Sequence, residues 1–389
     1  MNQEYKNNQK NSKTIDLIVY AAIYLIACAV IGFFAGKLLA YESQAFGTLG
    51  VIRTIIFIVL IIILLRFFHV IIHEAGHLIF GLISGYEFVS FRIGPLMIKE
   101  EEGKYVLKKF KISGTSGQCL MMPDSNWNAY DYPYFLYNIG GSLNNFIVAF
   151  ISLVLYLMFP ENRYLSMIFI MSFVIGITGG LLNTIPLIVG GIPNDGKNIL
   201  LLNKDRQSRK ALYMQLYTHG LQSKGTRLKD MPEEYFELPA NADLSNPLVA
   251  SFGVFKSNYL HDKKEFSQAK KYSEDLLTNA PGLVDIYKNE LRCELLFYEI
   301  IGLCRKDEIE RLYTSELQQY IKASSSYVSR RRLMYAYEVF VNKDKEAAKK
   351  ALDDFEKTAK YYPNETEIEG ERELIKFIDN LAVIKNVEF

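Results

Sequence analysis

Two histidines and a glutamate lie within one five-residue segment, His73-Glu74-Ala75-Gly76-His77. Residues four apart share one face of an α-helix, so the imidazoles of His73 and His77 can bind the same metal ion. Glu74 follows the first histidine and can reach a water on that metal without binding the metal itself. Because the chain has only five histidines, the spacing predicts a metal site that activates water. The alternative is a helix with buried, hydrogen-bonded histidines.

A catalytic tetrahedral zinc site needs a third protein ligand. His219 and His261 are poor candidates because they lie in the charge-rich half of the chain. Asp195 is a better one, since it closes a long apolar stretch beside Pro186 and Pro193, which break helices. A carboxylate held at membrane depth by a broken helix is expected to be functional. An Asp-Gly turn at the membrane interface is the alternative. His69 is interpreted as a supporting or packing residue.

Composition separates two halves of the chain. The 389 residues carry 44 basic and 43 acidic side chains, and the net charge of +1 excludes bulk attraction to nucleic acid. Residues 1–200 contain long charge-free stretches, whereas residues 201–389 are rich in charge. The four cysteines are scattered, which excludes a disulfide framework and a zinc knuckle. We therefore expect a membrane protein with a soluble part.

Four apolar stretches are long enough to cross a bilayer as helices. They follow a polar tail at residues 1–14, and the predicted spans are 15–39, 54–84, 133–159 and 164–187. A cleaved signal peptide is the alternative for the first, because Leu25–Cys28 resembles a lipoprotein cleavage box. Basic residues cluster in the loop between the second and third spans and after the fourth, which predicts that both termini are cytoplasmic.

The remaining segments complete a mainly α fold. Residues 88–122 mix β-forming side chains, charge and turn signals, which predicts a small sheet of three to four strands at the membrane surface. Residues 201–249 are interpreted as a linker with an amphipathic segment. Residues 250–389 resemble a tetratricopeptide-like array, from Ala269, Leu276, Pro281, Ala351, Phe355 and Pro363. An unrelated helical bundle is the alternative for this region.

The pairing of H-E-x-x-H with a later N-x-x-P…D-G (Asn183 to Gly196) resembles the site-2 protease family of intramembrane zinc metalloproteases, over Ile52–Ile199. The resemblance implies one Zn²⁺ bound by His73, His77 and Asp195, with Glu74 activating the water. It aligns the segment Gly140–Asn145 with the family's A-G-P-x-x-N and gives Asn145 and Asn183 contacts to the substrate or the oxyanion. The chain departs from the family pattern at Ser142, at Asn194 and in a longer gap between Asn183 and Asp195.

The resemblance implies a zinc-dependent intramembrane metalloendopeptidase of the cell membrane, acting within or near transmembrane or signal-peptide-derived segments. We expect a membrane-protein substrate, contact with the bilayer, a cytoplasmic protein or peptide partner through residues 250–389, and no nucleic acid. The frequent Lys, Asn, Ile and Tyr suggest a bacterial source. Two alternatives are a catalytically silent relative that acts as a scaffold or immunity factor, and a metal transporter.

Overall fold

A computed structural model describes residues 3–101, 103–112, 115–189 and 192–387, with side chains from Thr14 onward. The α-helices are α1 (Gln3–Ile83), α2 (Tyr134–Met158), α3 (Arg163–Thr184), α4 (Asp195–Lys204), α5 (Arg206–Ser223), α6 (Pro247–Asp262), α7 (Phe266–Asn279), α8 (Asp285–Ile301), α9 (Lys306–Leu312), α10 (Ser315–Ala323), α11 (Val328–Tyr337), α12 (Lys345–Ala359) and α13 (Glu365–Ile384). The strands are β1 (Glu87–Ile93), β2 (Leu96–Glu101), β3 (Lys104–Lys109), β4 (Gly117–Met122), β5 (Ile188–Val189) and β6 (Ile192–Pro193).

Helix α1 contains both of the first two predicted spans and begins within the predicted polar tail. Gly47 interrupts it with φ 59° and ψ −145°, a conformation that only glycine adopts without strain. In a straight helix Leu38 and Leu65 would lie about 40 Å apart. They instead belong to one buried cluster with Met171 of α3. The chain therefore folds back at Gly47, and the two halves of α1 pack side by side.

Three helices within the described residues are long and apolar enough to cross a membrane: Thr14–Ile83 of α1, α2 and α3. Helices α2 and α3 occupy the third and fourth predicted spans. Large apolar side chains stay exposed along these helices, for example Ile63 at 60% and Leu157 at 67%. An apolar surface of this kind is stable against lipid and unstable in water. The protein is a membrane protein, and the division of α1 into two spans remains a prediction.

The chain forms two compact units. The first, the membrane unit, comprises residues 1–86 and 133–204. It contains α1 to α4 and the β5–β6 hairpin, and α1, α2 and α3 pack on one another. The second, the C-terminal unit, comprises residues 87–132 and 205–389.

The predicted small sheet is confirmed as a four-stranded antiparallel sheet in the order β3-β2-β1-β4. It belongs to the C-terminal unit, whereas the sequence placed residues 88–122 in the domain 15–200. Its buried residues explain the difference. Met122 of β4 lies against Gly220 of α5, and the ring of Phe110 contacts the rings of Tyr327 and Tyr362. Apolar contacts therefore attach the sheet to the helices of its own unit.

The C-terminal unit otherwise consists of helices from α5 onward, joined by short turns. Consecutive helices α6, α7 and α8 pack as neighbours. Their buried cluster includes Ala250, Val254, Leu276 and Leu291. The region interpreted as a linker, 201–249, contains α5 and two 3₁₀ turns, Leu228–Asp230 and Glu233–Phe236. A tetratricopeptide arrangement of residues 250–389 remains a prediction.

Candidate metal centre

The structure brings His73, His77 and Asp195 together inside the membrane unit. The histidines lie on α1, and Asp195 is the first residue of α4. Asp195 Oδ2 lies 3.2 Å from His73 Nε2 and 3.5 Å from His77 Nε2. The two Nε2 atoms are 3.2 Å apart. Three potential ligand atoms from two separate helices therefore form a nearly equilateral triangle.

The triangle fits a tetrahedral zinc ion. Zinc binds imidazole nitrogen and carboxylate oxygen at about 2.0–2.2 Å, so ligands of a tetrahedral site lie about 3.3 Å apart. The three observed distances bracket that value. Asp195 Oδ2 is also buried, and beyond the two imidazoles it has no hydrogen-bond partner in the described ranges. A buried carboxylate oxygen without a partner is costly, and a cation at the triangle would satisfy it.

The orientation of His77 is fixed by a backbone carbonyl. His77 Nδ1 lies 2.7 Å from the carbonyl oxygen of Tyr137 on α2, so the Nδ1–H donates to that oxygen. The lone pair is then on Nε2, which faces His73 and Asp195. This is the tautomer that binds metal, and such a partner on the far ring nitrogen is a usual support of metal-binding histidines.

Gly141 of α2 leaves room for both imidazoles. A Cβ atom at this position would lie 2.5 Å from His73 Cε1 and 2.6 Å from His77 Nε2. Both distances are far below van der Waals contact, so a side chain here would displace the rings. The absence of a side chain at Gly141 therefore allows α1 and α2 to approach closely at the site.

A network of polar side chains extends from His73 into the three-helix bundle. Asn145 of α2 lies between two rings, with Nδ2 3.4 Å from His73 Nδ1 and Oδ1 3.2 Å from His69 Nδ1. His69 Nε2 lies 3.1 Å from the hydroxyl of Ser172 on α3. That hydroxyl is 2.8 Å from the hydroxyl of Ser152. The predicted supporting role of His69 thus corresponds to buried contacts on two neighbouring helices.

Asn194 holds the loop that carries Asp195. Its Nδ2 donates to the carbonyls of Leu182 and Ile185, at 2.6 and 2.7 Å. Its Oδ1 accepts from the backbone N–H groups of Leu187 and Lys197, at 3.1 and 2.9 Å. The departure from the family pattern at this position therefore supplies four hydrogen bonds. They cap α4 and fix the residue next to Asp195.

The other predicted site residues lie in different surroundings. Glu74 is buried, with 8% of its surface exposed, and adjoins His73 on α1. Asn145 contacts the imidazole of His73, and Asn183 Nδ2 donates to the carbonyl of Gly179 in its own helix. These contacts do not test whether either asparagine binds substrate, and that role remains a prediction.

Sequence reasoning missed Tyr137, Gly141, Ser152, Ser172 and the hydrogen bonds of Asn194. Two of the signals were present in the sequence. Small residues in a membrane helix mark close helix contacts, and polar residues in a charge-free helix mark functional or structural networks. The backbone carbonyl of Tyr137 carries no such signal, since any residue supplies one.

The chain matches the family model described as Peptidase family M50 over residues 57–364. The match covers most of the chain and includes all the residues of the metal centre. No curated protein and no solved structure matches the chain.

Proposed function

The chain belongs to Peptidase family M50, the zinc metalloproteases of the site-2 protease type, and from this premise we propose that it is an active intramembrane metalloendopeptidase. It hydrolyses peptide bonds within or near transmembrane or signal-peptide-derived segments. The observation that carries the proposal is the triangle of His73, His77 and Asp195 ligand atoms inside a unit built from membrane-length helices. One Zn²⁺ per chain fits this triangle.

Zinc, when bound there, would lower the pKa of water to about 7 and polarise the scissile carbonyl. Glu74 accepts the proton of the attacking water and delivers it to the leaving amine nitrogen. Glu74 is buried and adjoins His73 in the sequence of α1, so it lies next to a potential metal ligand. His77 keeps its Nε2 lone pair toward the site because its Nδ1–H is held by the Tyr137 carbonyl.

His69 and Asn145 position His73. The amide of Asn145 lies between the two imidazoles, 3.4 Å from His73 Nδ1 and 3.2 Å from His69 Nδ1, so it couples the orientations of the two rings. Ser172 holds the far side of His69. The ring of His73 is thus supported through α2 and α3, although it lies on α1.

The depth of the site selects the substrate class. His73 precedes the end of α1 at Ile83 by ten residues, about 15 Å along the helix. A peptide bond at this depth belongs to a membrane-embedded segment. Such a segment is helical and must unwind locally before hydrolysis, since its own hydrogen bonds shield the peptide bond.

Strand β3 is the proposed acceptor of the unwound segment. It lies at an edge of the sheet order, and an edge strand can pair with an extended peptide; the backbone N–H of Lys109 already donates to the carbonyl of Tyr361. Single proline substitutions along β3 should reduce cleavage while the protein remains folded. Unchanged cleavage by these variants would rule out edge pairing.

The remaining proposals concern topology and partners. The protein is a multi-pass protein of a bacterial cell membrane, with four spans and both termini in the cytoplasm.

Residues 250–389 form a tetratricopeptide-like region that recruits a protein or peptide partner. Deletion of this region should change substrate choice or regulation in cells more than zinc content. Identical processing by the deletion variant would contradict this role.

The decisive experiment compares the wild type with Glu74→Gln. We expect both proteins to contain zinc, measured by elemental analysis, while membrane peptides that accumulate with the wild type are missing with Glu74→Gln. Glu161→Gln, in the exposed loop before α3, is the matched control and should behave like the wild type. Identical peptide profiles of wild type and Glu74→Gln would instead identify a catalytically silent scaffold.

A further inference from the structure

The C-terminal unit contains a cavity of about 220 Å³ that has no part in the metal centre. Its walls are formed by α5, α6, α8 and α13, with Arg227 from the segment that follows α5. Because all of these elements belong to one compact unit, the cavity is a property of that unit alone.

The lining of the cavity is rich in carboxylates. Two cationic side chains line it, Arg227 and Lys264, and both already form ion pairs with Glu373. Burial lowers the pKa of His219 to about 4 and also lowers that of His261. Both lining histidines are therefore neutral at pH 7. The carboxylates in the lining are Asp262, Glu290, Glu294, Glu367 and Glu371.

Four of these five carboxylates form an ion pair with an arginine. Arg227 pairs with Asp262, and Arg330 with Glu290. Arg332 pairs with both Glu294 and Glu371, at 2.9 and 2.7 Å.

Glu367 is different, because no cationic side chain in the described part of the chain forms an ion pair with it. Burial and the neighbouring Glu371 raise the pKa of Glu367 to about 8. The carboxyl group hydrogen-bonds with the Tyr362 hydroxyl and is largely protonated at pH 7, so among the described residues it is the one carboxyl group of the lining without a cationic partner.

Two further features of the cavity lining indicate what kind of ligand would bind beside Glu367. His261 Nε2 is buried without a hydrogen-bond partner among the described residues, while its Nδ1 lies 2.9 Å from the Tyr298 hydroxyl. The side chains of Leu291 and Leu374 form an apolar part of the cavity wall. Clusters of metal-ligating side chains in the described ranges occur at His73, His77 and Asp195 and not in this cavity. The lining suits an organic cation with polar and apolar parts better than a metal ion.

We propose that this cavity binds the primary ammonium group of a peptide, with Glu367 as its counter-ion. The ammonium group comes either from a lysine side chain or from the amino terminus. A peptide also supplies backbone groups for His261 Nε2 and methylene groups for the leucines. The proposal does not depend on the proteolytic function, because none of its residues belongs to the metal centre.

The test uses the full-length protein in detergent and fluorescence anisotropy with three pentapeptides labelled at the carboxyl end with fluorescein. One has a free amino terminus and no lysine. The second is amino-acetylated with one central lysine, and the third is the second with that lysine acetylated. We expect at least one of the two amine peptides to bind and the neutral peptide not to bind. The peptide that binds identifies the source of the ammonium group.

Glu367→Gln should weaken binding at least about tenfold, since it removes a charge-assisted contact and preserves shape. Glu369→Gln, on the exposed side of the same helix, is the matched control and should change binding less than about twofold. The proposal is overturned if neither amine peptide binds below millimolar concentration. Equal binding of the neutral peptide, or full binding by Glu367→Gln, overturns it as well.

Calorimetry gives an independent measurement of the same contact. Below pH 8 the free Glu367 carboxyl is largely protonated, with Glu290, Glu371, Tyr362 and Arg330 as its ionisable neighbours. Docking of an ammonium group favours the carboxylate, so binding at pH 7 should release up to one proton. The binding enthalpy should then depend on the buffer for the wild type and not for Glu367→Gln. A buffer-independent enthalpy with the wild type would contradict the role of Glu367.

Discussion

The metal centre of the membrane unit and the arginine network of the C-terminal unit both bury ionisable side chains, but they satisfy them differently. In the membrane unit Asp195 Oδ2 faces two imidazoles and is buried without another partner in the described ranges. In the C-terminal unit Arg332, which is fully buried, is paired by Glu294 on one side and Glu371 on the other. In one region potential metal ligands converge, and in the other buried carboxylates are paired with an arginine.

The difference shows how buried polar groups with a functional role can be distinguished from those that stabilise the fold. A network whose charges are balanced by its own side chains, such as that of Arg332, holds together the helices that carry it. A set of potential ligand atoms that lie close together, as in His73, His77 and Asp195, is able to hold a metal ion and so indicates a function. Glu367 lies between these cases, because it adjoins Glu371 of the paired network and yet forms no ion pair with a cationic side chain in the described ranges.

The largest effect is expected from Asp195→Asn, which removes the ligand contributed by α4. Zinc affinity should fall at least about 100-fold, and cleavage should fall to background, since one of three protein ligands is lost. Chelator competition measures the affinity. Asp353→Asn, at an exposed position of α12, is the control and should change neither quantity. Unchanged zinc affinity in Asp195→Asn would exclude Asp195 as a ligand.

A substitution in the ion-paired network of Arg332, Glu294 and Glu371 should change the free energy of unfolding. Arg332→Met leaves Glu294 and Glu371 buried without their cation and should destabilise the C-terminal unit by about 3–5 kcal/mol. Urea unfolding followed by fluorescence of Trp127, the single tryptophan and a residue of this unit, measures the change.

The neighbouring Arg331→Met is the control for that measurement. Arg331 is 30% exposed, and its nearest carboxylate is that of Asp354 at 3.8 Å. A half-exposed pair of this kind contributes about 1 kcal/mol or less. Equal destabilisation by the two substitutions would show that the buried pairing has no special role.

His69→Leu tests the network that supports the metal centre. Removal of the ring leaves Asn145 and Ser172 without their partner, and we expect zinc affinity and kcat/KM to fall by about 10–100-fold. His69→Gln, which keeps polar atoms near both partners, should restore part of the loss. Phe68→Leu, at an exposed neighbouring position, controls for helix packing. A positioning role is refuted if His69→Leu retains full zinc affinity.

The smallest effect concerns pH. The pKa of Glu367 is about 8 in the folded protein, above its value in the unfolded chain, because of burial and Glu371. Its contribution to stability is therefore fully present below about pH 4.5 and is lost as the pH rises through 8. Glu367→Gln should remove this loss and stabilise the C-terminal unit at pH 8 by about 1–2 kcal/mol. From pH 5 to 8 the urea concentration at the unfolding midpoint should fall for the wild type and stay constant for Glu367→Gln. If the midpoints of the two proteins changed with pH in parallel, the role of Glu367 would be contradicted.

Much of the local architecture follows from sequence patterns. Helices α2 and α3 occupy predicted apolar stretches, because hydropathy and length are local properties of the chain. The alternation and turn signals of residues 88–122 predicted the sheet for the same reason. The spacing of His73 and His77 required only the period of one helix. The choice of Asp195, 118 residues after His77, as a third ligand came from its position at the end of a broken apolar stretch and from the family resemblance, because helical spacing does not reach so far.

Other features had no local signal. The attachment of the sheet to the C-terminal unit depends on contacts such as that of Phe110 with Tyr362, which lie far apart in the sequence. The pairing of Arg332 with Glu294 and Glu371 is similarly non-local. Asn194 was read as a departure from a motif, whereas its four hydrogen bonds form only after the loop between α3 and α4 closes.

The amino-acid sequence by itself determined which residues are able to bind a metal and which stretches are apolar enough to be helices in a bilayer. Helical periodicity and hydropathy are properties of short segments, so they can be recognised in the sequence without a structure. Only the tertiary structure decided that α1 folds back at Gly47, that Asp195 reaches the histidines and that Glu367 lacks a cationic partner among the residues the structure describes. These outcomes depend on side chains brought together from distant parts of the chain, and packing rather than spacing selects them.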